Sequence, residues 1–177
     1  MPVSSQSDVD LPGGDAPSEL RFEAVCPADA DALATLFARN SVPVAAEGFD
    51  PFPLTSEQGR RIALDTGRDG FYLALDANGP AGFSMLRGFN AGYAIPSFGI
   101  FVDHERQGRG IGRRLTEWTV AQARNRGCPA VRLSVYASNA TALALYASLG
   151  FSEREREAVE RRGRSDEKIV MLLELES

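Results

Sequence analysis

Three glycines, Gly108, Gly110 and Gly112, stand among Arg106, Arg109, Arg113 and Arg114 in the stretch HERQGRGIGRRL, residues 104–115. An apolar run, YAIPSFGIFV (93–102), leads into it, and a segment with helical spacing leads out. Glycine costs a helix about 1 kcal/mol per residue relative to alanine, so a cluster of them at a helix start needs a reason. A helix start offers unpaired N–H groups and a partial positive charge. Bare glycine backbone lets an anion reach those N–H groups, and the arginines add charge. The stretch therefore predicts a phosphate or pyrophosphate site between a strand and a helix. The competing reading is that the glycines serve only tight packing of helix on strand.

Two familiar phosphate loops do not fit. A P-loop needs Lys-Ser/Thr after its last glycine, and Gly112 is followed by Arg113-Arg114. A dinucleotide fingerprint, Gly-x-Gly-x-x-Gly, would place its third glycine at Arg113. It also expects an early βαβ unit, whereas antiparallel strands are predicted ahead of this loop.

The rest of the chain reads as alternating elements. LRFEAV (20–25) is a strand, and CPADADALATLFARN (26–40) is a helix opened by proline and acids. SVPVAAEGFDPFPL (41–54) is irregular. TSEQGRRIALDTG (55–67) is a helix with a capping-box pair, Thr55 and Gln58, closing at Gly67. GFYLAL and PAGFSMLRGF flank an Asn78-Gly79 hairpin turn. Pro96 and Gly99 in YAIPSFGIFV predict a bulge or an interrupted edge. The helix after the glycines runs to about Arg126, before Gly127 and Pro129, with Leu115, Trp118, Thr119 and Ala123 as its apolar stripe. AVRLSVYA is a strand, SNATALALYASLG a helix capped by Ser138 or Asn139, and residues 151–175 a final pair of strands. The strands on either side of the central helix are expected to run parallel, because a helix connects them.

On these residues the chain resembles the GNAT superfamily of N-acetyltransferases. Gln107-Gly-Arg-Gly-Ile-Gly112 is similar to that family's Gln/Arg-x-x-Gly-x-Gly/Ala signature, and SVYASNATALALYASLGF (134–151) resembles its second motif. The motif-level match covers about 100–151 and the element order about 20–175. The resemblance implies an α/β (α+β) fold: a mixed, mostly antiparallel central sheet, about four flanking helices and a splayed parallel strand pair. It implies acetyl-CoA as cosubstrate. The pyrophosphate would lie on Gln107, Gly108, Arg109, Gly110, Ile111, Gly112 and Arg113, and the pantetheine arm along Ile100, Phe101 and Val102, with Asn139 as a further contact. Residues 131–135 would form the strand that splays from 100–102.

Asn139 and Tyr146 are seven residues apart on one predicted helix, which puts them on one face about 10 Å apart along the axis. Acetyl transfer from a thioester needs a neutral amine, a polarised carbonyl and a proton for the leaving thiolate. By resemblance Tyr146 is the catalytic acid. Tyr146 as a core residue and Asn139 as a plain helix cap are the structural alternatives. Acetyltransferases of ribosomal-protein N-termini, whose second motif this resembles, carry a glutamate where this chain has Ser134. That departure favours a small amine, such as an amino sugar or amino acid, over a peptide or protein amine. A non-catalytic acyl-CoA-binding module and an unrelated nucleotide-binding protein are further readings. Glu47, Phe49, Asp50 and Tyr93 are candidates for the acceptor pocket, with Glu47, Asp50 and Tyr93 also candidate bases. His104 is expected in an exposed loop role, and Asp103 and Glu105 as solvated loop charges.

Net charge of −5 argues against a nucleic-acid partner. No apolar run approaches the ~20 residues that cross a bilayer, and the start lacks the pattern of a secretory signal, so a cytoplasmic protein is expected. Residues 1–19, rich in Ser, Pro, Gly and Asp, read as a disordered tail ahead of one domain, 20–177. Cys26 and Cys128 read as free, buried thiols, and one histidine, His104, leaves no basis for a metal site. The last two strands are where a homodimer would pair.

Overall fold

The computed structural model describes residues 19–42 and 51–176. Residues 1–18 of the predicted tail (1–19) and the acceptor candidates Glu47, Phe49 and Asp50 lie outside the described residues.

Strand β1 (Arg21–Ala24) is followed by a 3-10 turn, Pro27–Asp29, and helix α1 (Ala30–Arg39). The Asp29 carboxylate accepts the Cys26 N–H at 2.8 Å and so closes the turn. Helix α2 (Ser56–Ala63) starts as its sequence predicts, with the Thr55 hydroxyl accepting the Gln58 N–H at 3.1 Å. It ends at Ala63 rather than near Gly67, because residues 64–69 turn back to start the next strand.

Strands β2 (Gly70–Asp76) and β3 (Gly79–Arg87) form the expected hairpin, with Ala77-Asn78 in the turn and Gly79 opening β3 opposite Asp76. Strand β4 is shorter than expected, Ser97–Val102, with a 3-10 turn at Phe89–Ala91 before it. Pro96 precedes it, and β4 pairs with β3 in unbroken register, so the expected bulge is absent there. Gly99 has a different task. A Cβ there would sit 2.4 Å from the Met85 side chain, its register partner on β3. Helix α3 (Ile111–Asn125), strand β5 (Ala130–Tyr136), helix α4 (Ala140–Ser148), and strands β6 (Ser152–Arg161) and β7 (Arg164–Glu174) complete the chain.

The seven strands form one sheet in the order β1-β2-β3-β4-β5-β7-β6. Every pairing is antiparallel except β4 with β5. Strand alternation sorts the side chains onto two faces. Leu73, Phe83, Met85 and Phe101 pack beneath Leu33, Leu36 and Phe37 of α1 and Ile62 of α2. On the opposite face Tyr72, Leu86, Phe98, Leu133, Val135 and Ile169 pack with Val120 and Ala123 of α3 and Tyr146 of α4. Buried Ser84 and Thr119 satisfy each other across this second interface at 2.7 Å, which keeps two hydroxyls from being stranded in an apolar layer.

The parallel pair gives the sheet its functional opening. β4 and β5 meet at one register pair, Ser97 and Arg132, backed by the Arg132 N–H donating to the Pro96 carbonyl at 3.0 Å. Beyond that point the strands diverge, and the β5-facing edge of β4 is left unpaired. The interruption anticipated for this strand therefore falls on its edge toward β5.

Candidate functional site

At the C-terminal end of β4, Arg106 donates its N–H to the Asp103 carbonyl at 2.8 Å, and Arg114 donates its own to Gly110 at 3.2 Å. Between them, residues 107–113 offer amide N–H groups that find no acceptor among the described residues. Gly108 and Gly110 have φ of +76° and +74°, a left-handed conformation that costs other residues about 1–2 kcal/mol. A Cβ on either would meet nothing within 4 Å, so packing alone does not call for these glycines. They turn the backbone so that successive amides open outward at the start of α3.

These amides line a cleft of about 670 Å³. Its walls include Ile100, Phe101 and Val102 of β4, the loop residues Gln107, Gly108, Gly110, Ile111, Gly112 and Arg113, and Asn139 and Tyr146 from α4. The structure thus brings all the expected cofactor residues together except Arg109, which is exposed outside the lining. Ser138, Thr141, Leu145 and Arg161 join the wall without having been anticipated. Asn139 is also the cap of α4, its side-chain oxygen accepting the Ala142 N–H at 3.1 Å.

A second cavity of about 630 Å³ opens on the sheet near Pro51 and Arg87. Tyr93, Arg87, Ser97, Arg132, Ser134, Lys168 and Asp69 are among its lining residues. Two residues, Ile100 and Tyr146, line both cavities. Tyr146 sits at the divergence of β4 and β5, its ring perpendicular to Phe98 at 6.3 Å and 5.7 Å from Phe151. Burial pushes its pKa up to about 12, so the phenol keeps its proton at any neutral or mildly alkaline pH. Its hydroxyl has no hydrogen-bond partner among the described residues and is available to a ligand.

Several loop residues depart from expectation. Asp103 is fully buried, not solvated. Arg39 and Arg106 both donate to its carboxylate, and Asn40 donates to it at 3.3 Å. His104 is half-buried, its backbone N–H donating to the Asn40 side-chain oxygen at 2.9 Å. Glu105 is exposed, as expected. The cationic patch is smaller than the sequence suggests. Arg106 is spent on Asp103 and Asp76, Arg113 faces Glu117 and Ser148, and Arg114 lies over the Phe22 ring. Both cysteines are free, but Cys26 is exposed and only Cys128 is buried. Ser134, the position the resemblance gives to a glutamate, lines this second cavity, whereas Lys168 was invisible as a site residue because nothing in its local sequence says that β7 faces a cavity.

A model described as the acetyltransferase (GNAT) family matches residues 35–151. The [ribosomal protein bS18]-alanine N-acetyltransferase of Salmonella typhimurium strain LT2 is 50% identical over 56 residues, 32% of this chain and 38% of that protein. The mycothiol acetyltransferase of Jonesia denitrificans is 40% identical over 75 residues, 42% of this chain and 24% of that protein. The matches thus span less than two fifths of the length of these relatives. A Salmonella typhimurium structure, whose name gives acetyl-CoA as its cofactor, superposes with a TM-score of 0.73 at 20% identity. It covers 89% of this chain and 94% of its own. Among the described residues no helix is long and apolar enough to cross a membrane.

Proposed function

Because the chain belongs to the acetyltransferase (GNAT) family, we propose that it moves an acetyl group from acetyl-CoA to the primary amine of a small molecule, such as an amino sugar or amino acid. One observation carries the reading: two cavities share Tyr146 and Ile100 where β4 and β5 part. A donor held in one and an acceptor held in the other meet beside a protonated phenol.

The residues suit acetyl-CoA. Free amides in 107–113 match a pyrophosphate, and the unpaired edge of β4 matches the amide groups of a pantetheine arm. Once bound, the cosubstrate supplies an activated acetyl thioester. Tyr146 donates from its hydroxyl to the departing sulfur. That sulfur, leaving into the same desolvated site, also holds a proton more readily than in water.

The acceptor amine must be neutral to attack. Ser134 occupies the position where the resemblance places a glutamate. The one carboxylate in the described lining, Asp69, already accepts N–H groups of Gly88 and Asn90 at 2.9 and 3.2 Å. Arg87, Arg132 and Lys168 surround the cavity instead, and like charge disfavours the ammonium form. The site therefore favours the neutral amine by electrostatics, with its proton lost to water. A peptide amine is the second reading, supported by the 56-residue match to ribosomal-protein acetyltransferases.

Calorimetry with acetyl-CoA and thiol release across an amine panel and a peptide panel test the proposal. Tyr146→Phe should slow turnover about 100-fold while leaving acetyl-CoA affinity in place. Full turnover in that variant would remove Tyr146 from the mechanism. Tight binding without thiol release for any acceptor would mark a binding module.

A further inference from the structure

Among its described lining residues the acceptor cavity has an excess of positive charge arranged as a row. Arg87 on β3 is the register partner of Ser97 on β4, and Ser97 is the register partner of Arg132 on β5. Register partners point to the same face, so two guanidiniums flank one hydroxyl across three adjacent strands. With strands about 4.8 Å apart, the two arginines are about 10 Å apart at their Cα atoms. Lys168 on β7, opposite Tyr136 on β5, adds a third cation to the lining.

Among the described residues these charges meet no carboxylate. Neither Arg132 nor Lys168 forms an ion pair with any described residue, although Glu157 is the register partner of Lys168 on β6. Arg87 lies over the Phe52 ring at 5.7 Å and forms no ion pair with any described residue. Six other arginines, Arg39, Arg60, Arg106, Arg113, Arg154 and Arg156, do meet described carboxylates. Asp69, the lining carboxylate, is occupied by two backbone amides.

Resting on the acetyl-transfer reading, we propose that the acceptor carries a carboxylate beside its amine, and that Arg132, with Arg87 and Ser97, binds that carboxylate. A cation-lined cavity repels a simple ammonium or a polyamine, and an attached carboxylate reverses the sign of the interaction. A guanidinium offers the planar fork that a carboxylate accepts in two parallel hydrogen bonds. Ser97 and Ile100 are three residues apart on β4, so the row lies about 10 Å from the Tyr146 junction. An arginine side chain and a molecule of amino-acid to dipeptide length fill that distance.

The test uses the full chain with saturating acetyl-CoA and matched acceptors: amino acids, their carboxamides, and diamines. Free acids should exceed their carboxamides in kcat/KM by about tenfold or more, the worth of one charged hydrogen bond. Arg132→Gln should erase most of that ratio while the KM for acetyl-CoA stays put, and Arg132→Lys should restore part of it. Calorimetry of the CoA-loaded protein should show the same preference in binding. Equal use of acids, carboxamides and diamines, or a ratio unmoved by Arg132→Gln, overturns the inference and leaves acetyl transfer standing. Loss of thiol release with every acceptor would instead remove the transfer reading, and this inference with it.

Discussion

Arg39, in the last turn of α1, donates from Nε and Nη2 to the two carboxylate oxygens of Asp103, the residue that follows β4. Arg106 approaches the same carboxylate at 3.1 Å and reaches Asp76 at 3.2 Å. Asp103 is fully buried, and the loop of free amides starts four residues later. One carboxylate thus ties α1, the β2–β3 hairpin and the glycine loop to a common point.

The consequence is a stability cost and a binding cost that arise together. Asp103→Asn keeps the shape but takes the buried counter-charge from Arg39 and leaves Arg106 with Asp76 alone. Breaking a buried pair costs about 3 kcal/mol, at the low end because Arg39 is 31% exposed. Urea unfolding should show that loss. In enzyme that remains folded, the KM for acetyl-CoA should rise several-fold with kcat nearly unchanged, because Asp103 positions the loop and touches neither substrate. A fall in kcat alone would contradict that role.

Much of the molecule could be read from local pattern. The Thr55 cap, the β2–β3 hairpin and the glycine loop each carry their cause within a few residues; the cap and the loop appear where the sequence places them, and the turn falls at Ala77-Asn78, one residue before the expected pair. Asp103 shows what local reading misses. An acidic residue between His104 and an apolar strand looks solvated, and its partner Arg39 lies 64 positions away. Arg132 and Lys168 are hidden for the same reason, since only the order β4-β5-β7 brings them to one cavity. Tyr93 was expected on the strand YAIPSFGIFV itself, residues 93–102. It proves to be a 66% exposed side chain outside that strand, at the cavity rim.

Gly110 and Gly112 should respond oppositely to alanine. Gly110 has φ of +74°, so Gly110→Ala should destabilise the fold by about 1–2 kcal/mol and disturb the amides around it. Gly112 is helical, and a Cβ there meets Val102 at 3.5 Å and Leu145 at 3.9 Å, ordinary contacts. Gly112→Ala should therefore hold or raise stability by up to about 1 kcal/mol, since alanine is the better helix former. Its methyl group nonetheless enters the wall of the donor cleft. Thermal unfolding beside acetyl-CoA titration checks both. A Gly112→Ala protein that is at least as stable yet binds acetyl-CoA several-fold more weakly separates ligand approach from folding as the reason for that glycine. Unchanged affinity assigns it to packing.

Tyr146 makes an alkaline prediction whose sign follows from linkage. Burial raises its pKa from 10.0 to about 12 in the folded protein. The unfolded chain releases that proton first, so the folded state binds more protons between the two values. Stability therefore falls as pH rises through this window. The stabilising contribution is complete below pH 10 and lost progressively toward pH 12. At pH 11 the loss is about 1 kcal/mol. Tyr146→Phe removes the titrating group, so its urea-unfolding free energy should decline less steeply than that of the wild type between pH 9 and 11. Tyr72 and Cys128 also have raised values, but both remain in the variant and cancel in the difference. Parallel slopes would mean that the phenol is solvated in the folded protein, and the buried proton donor at the junction of the two cavities would be lost with it.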